Sequence, residues 1–103
     1  MALATDVEKK IERLIHLVAK EFRVEAVYLF GSTANGSSHE WSDIDLAIVS
    51  PDFTGDSFED TRQLFPSILQ VDTSIEVHTF RPSDFDPTNP FVKEIMTTGI
   101  RVC

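Results

Sequence analysis

The chain has 103 residues, of which 17 are acidic and 9 basic, and its formal net charge at pH 7 is −8. This length suits one domain with a hydrophobic core and leaves no room for a separate substrate-binding domain, so we expect residues 1–103 to form a single domain. The acidic balance disfavours strong non-specific binding to nucleic acid or to anionic lipid. A long polynucleotide is therefore a poor candidate for a substrate.

The chain shows no sign of a targeting segment or of disulfide chemistry. Residues 1–5 lack the charged region and the apolar stretch of a signal peptide, and no apolar run approaches the length of a membrane span. The only cysteine is Cys103, so an internal disulfide is impossible and a catalytic thiol is not expected. We expect a cytoplasmic protein.

The first two predicted elements are a helix and a buried strand. Apolar residues recur at helical intervals over residues 6–22, and Thr5 and Glu8 have the spacing of a capping box. The run Val27-Tyr28-Leu29-Phe30 is short, apolar and rich in residues that favour strands, which predicts a strand over residues 25–30.

A glycine and a serine follow this strand directly. Gly31 lets backbone N–H groups approach a phosphate closely, and Ser32 adds a hydroxyl that can also cap a short helix, whose N-terminus favours anions. Residues 31–40 are small and polar, which predicts a turn and one or two helical turns. This segment is a candidate phosphate-binding turn.

Two aspartates open the next strand, which we predict over residues 43–49. Asp43 and Asp45 are two positions apart, so both side chains point to one face of the strand. Adjacent carboxylates repel each other, and a bound Mg²⁺ or Mn²⁺ would remove that repulsion. The pair is a candidate metal site at the open end of a strand that is buried on both sides.

The middle of the chain predicts a helix and a third strand. Ser57 with Asp60 can cap a helical region that continues to about residue 71, and Pro66 predicts a kink there or two short helices that meet. Residues 73–80 alternate between apolar and polar side chains, which predicts a strand that carries Glu76 and His78 on one face.

The C-terminal part predicts one more helix and a short strand. Asn89 and Pro90 are typical of a helix start, and Gly99 is typical of a helix end. Phe85 and Phe91 are expected to be core or partner-facing residues. Residues 100–103 are predicted to form a short last strand.

This order predicts an α/β (α+β) fold, with helices covering a small sheet in the order α-β-α-β-α-β-α. The first two strands are joined by too few residues for a comfortable parallel crossover, so we expect them to be antiparallel. The next connection is long enough for a crossover. We therefore predict a mixed sheet.

The combination of Gly31-Ser32, a spacer of ten residues and Asp43-Ile44-Asp45 resembles the nucleotidyltransferase superfamily that includes DNA polymerase β. The chain is most similar to the minimal nucleotidyltransferases, which are small single-domain proteins often paired with a HEPN-domain partner in prokaryotic toxin–antitoxin modules. Each half of the motif is weak alone. Together, with a strand before each half, they are specific.

This resemblance implies a fold, an activity and a set of site residues. The activity would be a Mg²⁺-dependent transfer of a nucleoside monophosphate, AMP from ATP, to a hydroxyl group, with two metal ions and with Mn²⁺ as a possible substitute. Gly31 and Ser32 would hold the β- and γ-phosphates, and Asp43 and Asp45 would bind the metals. Glu76 matches the third carboxylate of the family, which serves as a metal ligand or general base, and Asp72 is its rival.

The chain departs from the family in one respect. Many minimal nucleotidyltransferases carry a basic residue a few positions after the Gly-Ser pair, where this chain has Asn35. Asparagine can hydrogen-bond a phosphate but carries no positive charge, so we expect a weaker or altered affinity for the triphosphate. His78, expected at the surface beside Glu76, could contact a base, a ribose or an acceptor.

Three functions stay open at this point. The first is an enzyme that modifies a HEPN-type toxin, which would make this chain the antitoxin. The second is a non-catalytic antitoxin that neutralises its partner by occlusion. The third is a transferase acting on a small hydroxylated molecule such as an aminoglycoside, against which the short chain argues. The sequence leaves homo-oligomerisation, the nucleotide and the acceptor undetermined.

Overall fold

The computed structural model of the chain describes residues 5–31 and 44–103. These residues form three helices and four strands, in the order α1 (Thr5–Ala19), β1 (Ala26–Phe30), β2 (Ile44–Val49), α2 (Ser57–Val71), β3 (Ile75–Phe80), α3 (Pro90–Thr98) and β4 (Ile100–Arg101). The α+β class predicted from the sequence is confirmed. The short helix predicted between β1 and β2 lies outside the described residues.

The four strands form one mixed sheet in the order β3-β2-β1-β4. Strand β1 pairs antiparallel with β2 and with β4, whereas β2 pairs parallel with β3. Both predicted orientations are confirmed. The physical reason is connection length, because α2 lies between β2 and β3 and provides the crossover that a parallel pair needs.

One face of the sheet forms the hydrophobic core with α1 and α2. Leu29, Leu46 and Ile48 project from the strands on this face and are almost fully buried. They pack against Leu14 of α1 and Leu64 of α2 in a single cluster. Burial of this apolar surface is the main force that holds the two helices on the sheet.

The start of α2 differs from the prediction. The helix is capped by Asp56, whose side chain accepts hydrogen bonds from the backbone N–H groups of Phe58 and Glu59, and not by Ser57. Asp60, which we expected to complete the cap, is 2% exposed and accepts hydrogen bonds from the N–H and hydroxyl of Thr54 at 2.9 and 3.0 Å. Its carboxylate therefore holds the preceding loop against the helix.

Pro66 lies inside one continuous helix. The alternative of two short helices that meet at this residue is therefore wrong. Proline removes one backbone donor from a helix. The buried side chains of Leu64 and Ile68, on either side of Pro66, fix the segment against the core and compensate for that loss.

The first helix ends earlier than predicted, and the last helix ends as predicted. Helix α1 stops at Ala19, and Phe22 belongs to the following turn, where its ring packs on that of Phe53 at 5.1 Å. In α3, the Asn89 side chain accepts a hydrogen bond from the N–H of Phe91, and Gly99 follows the last turn. Within residues 5–31 and 44–103, no helix has the length and apolar character that a membrane span requires.

Candidate active site

Two carboxylates lie side by side on neighbouring strands. Asp45 of β2 and Glu76 of β3 are direct partners in the parallel pair. Because direct partners on adjacent strands project to the same face, both carboxylates lie on the face opposite the hydrophobic core. The Asp45 side chain is 23% exposed and that of Glu76 is 59% exposed. The structure thus brings together two of the residues that the sequence singled out.

His78 lies next to both acids. Its Nε2 atom is 3.8 Å from Oδ1 of Asp45 and 3.9 Å from Oε1 of Glu76. One potential ligand atom from each of the three residues falls within 4.8 Å of the other two. We expected His78 at the surface on the face of Glu76. The face is as expected, but the side chain is half-buried, because the rings of Phe30 and Phe91 pack against it.

Gly31 directly follows β1 and lies beside Asp45. Its φ angle is +80°, a conformation that side chains other than hydrogen rarely allow. A Cβ atom at this position would lie 2.5 Å from Oδ2 of Asp45. Glycine is therefore required for two reasons, and the two halves of the sequence motif are in direct contact.

Asp72, the rival of Glu76 for the third carboxylate, is engaged elsewhere. It follows the last turn of α2, contacts Nζ of Lys10 at 2.5 Å and accepts a hydrogen bond from the N–H of Ser74 at 2.8 Å. The hydrogen bond from Lys10, followed by those from Ser74, lowers the pKa of Asp72 to about 2. This carboxylate joins α2 to α1, whereas Glu76 is the one beside Asp45.

Ser32, Asn35 and Asp43 lie outside the described residues. Their roles in binding phosphate and metal stay predictions.

Aromatic side chains pack beside Asp45, Glu76 and His78, which together form the acidic group of the candidate site. Phe91 of α3 packs at 5.7 Å from the ring of Phe30 and at 6.3 Å from that of Phe80. Sequence reasoning missed that Phe91 borders the candidate site. No local pattern could have revealed it, because the contacts join the first turn of α3 to β1 and β3.

A groove of about 770 Å³ extends from Glu76 and His78 along β3 to the outer surface of α2. Glu76, His78 and Phe91 line it at one end, and Phe58 and Phe65 of α2 line it at the other. Strand β3 is an edge strand of the sheet. The groove therefore offers an approach to Glu76 past exposed apolar side chains.

Sequence comparison decides the family. The pattern of the family described as "Polymerase beta, Nucleotidyltransferase" matches residues 12–103. The chain belongs to this nucleotidyltransferase family. Comparison with curated proteins gives no match.

Solved structures share the nucleotidyltransferase fold with this chain. A toxin–antitoxin crystal structure with AMP-PNP has a TM-score of 0.64 at 23% identity, over 93% of this chain and 72% of the other. A protein from Sulfolobus solfataricus, assigned as a nucleotidyltransferase, has a TM-score of 0.62 at 18% identity, over 97% and 87%. A mutant of the toxin–antitoxin MntA-HpeT has a TM-score of 0.60 at 22% identity, over 93% and 72%. At these identities the likeness establishes the fold alone.

The residues of the site fit the divalent metal that nucleotidyltransferases of this family usually employ. Carboxylate oxygens are the ligands that Mg²⁺ and Mn²⁺ take, and Asp45 and Glu76 present them on one face of the sheet. A cation between the two would also offset their mutual repulsion. Asp45 and Glu76 are thus two described residues that could hold the metal.

Proposed function

We propose that this protein is a metal-dependent nucleotidyltransferase that transfers AMP from ATP to a hydroxyl group of a partner protein, a HEPN-type toxin. The observation that carries the proposal is the contact of Gly31 with Asp45 and the pairing of Asp45 with Glu76. This transfer needs a phosphate-binding turn beside a metal-binding face, and the position of Gly31 next to Asp45 supports assigning these two roles to them.

The reaction joins the acceptor oxygen to the α-phosphorus and breaks the bond between the α-phosphorus and the bridging oxygen, so that pyrophosphate leaves. When bound, the metal neutralises charge on the attacking and leaving oxygens. In our proposal, the turn at Gly31 and Ser32 orients the triphosphate through backbone and hydroxyl donors. Asp43 and Asp45 hold the metal, and Glu76 completes the ligand set or accepts the proton of the acceptor hydroxyl.

The choice of nucleotide and acceptor has separate support. Two of the similar structures are toxin–antitoxin assemblies, and one of them contains AMP-PNP. On this chain, Phe58, Phe65 and Leu69 of α2 are 77%, 52% and 54% exposed, which is unusual for large apolar side chains on a small protein. An apolar surface that adjoins the groove to Glu76 suits a protein acceptor better than a small polar molecule.

The exposed apolar surface also supports a second candidate function. A chain that covers its toxin through Phe58, Phe65 and Leu69 would neutralise it by occlusion, with no transfer of AMP. The two functions differ in whether the acidic group is needed. The labelling experiment described next distinguishes the two functions.

The test is incubation of the protein with ATP labelled at its α-phosphate, Mg²⁺ or Mn²⁺, and the protein encoded by the adjacent gene. We expect label on the partner with the wild type, and none with Asp43→Ala/Asp45→Ala or with Glu76→Gln. Glu12→Gln is the matched control, since Glu12 lies exposed on α1, on the other side of the sheet. Label transfer that survives the double substitution would reject the assigned metal site. A partner that is neutralised without acquiring label would favour occlusion.

The partner surface is tested by co-purification. Phe65→Ser should weaken retention of the partner, because it removes a large exposed apolar side chain without disturbing the core. Gln70→Ser, also exposed on α2, should leave retention unchanged. Equal retention of the partner by both variants would place the interface elsewhere.

A further inference from the structure

The Nε2 atom of His78 is a buried polar atom that makes no hydrogen bond within the described part of the chain. Leaving such an atom unpaired costs on the order of 1–3 kcal/mol, so native proteins normally satisfy it. The atom points to the two carboxylates, yet 3.8 and 3.9 Å exceed the length of an ordinary hydrogen bond. The partner that satisfies Nε2 is therefore expected between these groups.

The spacing matches that of ligands around a single metal ion. Two ligand atoms with bonds of about 2.1 Å to one ion lie about 3 Å apart when adjacent and about 4.2 Å apart when opposite. Both distances from Nε2 to the carboxylates fall in this interval. The ligand atoms of Asp45 and Glu76 lie within 4.8 Å of each other, and the exposed Glu76 side chain has room to move toward a shared ion.

The imidazole ring is held in this orientation. The centroid of the Phe30 ring lies 5.1 Å from that of His78, and the Phe91 centroid lies 5.6 Å away, both in edge-to-face geometry. Packing from two sides restricts rotation of the ring. Nε2 is thus kept beside the carboxylates without a bound ion, which lowers the entropic cost of binding one.

We propose that His78 supplies Nε2 as a ligand to the metal held by Asp45 and Glu76, which shifts the site from Mg²⁺ toward transition-metal dications such as Mn²⁺. The proposal rests on the metal site of the proposed function. Imidazole nitrogen is a good ligand for transition metals, while Mg²⁺ strongly prefers oxygen. Mn²⁺ takes both donor types, so it fits a ligand set of two carboxylates and one imidazole.

The test uses Mn²⁺ as a spectroscopic probe on the metal-free full chain, without nucleotide or partner. Titration followed by electron paramagnetic resonance gives the Mn²⁺ affinity, and pulsed spectra report a nitrogen nucleus coupled to the bound ion. We expect nitrogen coupling in the wild type and its loss in His78→Ala. The Mn²⁺ affinity should fall at least about tenfold, because even groups that only orient a metal ligand contribute that much. Competition with Mg²⁺ should show a change of less than about threefold in Mg²⁺ affinity.

Two further variants keep the test decisive. His16→Ala removes an exposed histidine from α1 and should retain the coupling and the affinity. His78→Gln fills the space of the ring and should also lose the coupling, which covers the case in which the alanine variant does not fold.

The outcomes separate this inference from the proposed function. Mn²⁺ that binds to the wild type without nitrogen coupling, or with coupling that survives in both His78 variants, would overturn the role of His78 and leave the transferase intact. Failure of the wild type to bind either ion, together with no label transfer, would overturn both.

Discussion

Replacing Asp72 with asparagine should destabilise the protein without affecting the transferase reaction. The substitution removes the charge that Lys10 contacts but leaves an oxygen that can accept the N–H of Ser74. It therefore isolates the ion pair between α1 and the end of α2. It also tests whether Asp72, and not Glu76, is the third carboxylate of the site.

The size of the effect follows from the pKa of Asp72, which the Lys10 hydrogen bond and the Ser74 hydrogen bonds lower from 3.8 to about 2. A difference of this size corresponds to at most about 2.4 kcal/mol of folding free energy. The Lys10 side chain is 40% exposed, so water screens the pair. We therefore expect a loss of about 1 kcal/mol for Asp72→Asn at pH 7, and a midpoint of thermal unfolding about 4–8 °C lower.

The pH dependence has a definite sign. Because the pKa is lower in the folded chain than in the unfolded chain, the carboxylate stabilises the fold above about pH 4, and this contribution is lost as the pH falls toward about 2. Urea unfolding of wild type and Asp72→Asn at several pH values measures it. The difference in the free energy of unfolding should be full at pH 7 and should shrink below about pH 4.

Two controls complete this experiment. Lys10→Met should cost a similar amount, and the double variant should show a coupling of about 1 kcal/mol between the two residues. Lys9→Met, one position away and exposed, should have little effect. Equal free energies of unfolding for the wild type and Asp72→Asn at pH 7 would refute the reasoning. A difference in this free energy that stays the same at low pH would also refute it. Loss of label transfer in Asp72→Asn would show that Asp72 belongs to the site.

Three further predictions concern other parts of the chain. Asp60→Asn should cost about 1–3 kcal/mol in urea unfolding, because one oxygen of the buried carboxylate accepts from Thr54 and the other from the N–H of Gly55, so an NH₂ group in place of either oxygen faces a donor; an unchanged free energy of unfolding would contradict the assigned hydrogen bonds. Gly31→Ala should lose label transfer and weaken Mn²⁺ binding, because the new Cβ displaces Oδ2 of Asp45 in a backbone conformation that alanine disfavours; Mn²⁺ binding equal to that of the wild type would argue against this contact. Asn35→Arg should bind Mg-ATP more tightly in calorimetric titration, because arginine adds a charge-assisted hydrogen bond to phosphate, and equal affinities would reject the role of Asn35.

Local patterns in the chain were sufficient for most of the elements. Asn89, Pro90 and Gly99 bound α3 as predicted, because capping depends on residues within one turn of each other. The predicted end of α1 was three residues too late. Phe22 continues the apolar periodicity of the helix, but its contact is with Phe53, far along the chain.

The sequence also did not predict which apolar side chains of α2 are exposed. Phe58, Phe65 and Leu69 share the apolar character of Leu64 and Ile68, and the sequence does not distinguish the two groups. Only the packing of α2 on the sheet shows that Leu64 and Ile68 are buried while the other three stay exposed. A helix with more apolar side chains than one core can cover is typical of a chain with a partner.

The sequence by itself determined the family and the mixed sheet, because a motif with fixed spacing and the lengths of the connections are local properties. The tertiary structure decided which carboxylate stands beside Asp45 and which other groups join it. Parallel pairing of β2 with β3 places Glu76 opposite Asp45, and the position of α3 places Phe91 against His78. These neighbours are far apart in the chain, so only strand register and helix packing bring them together.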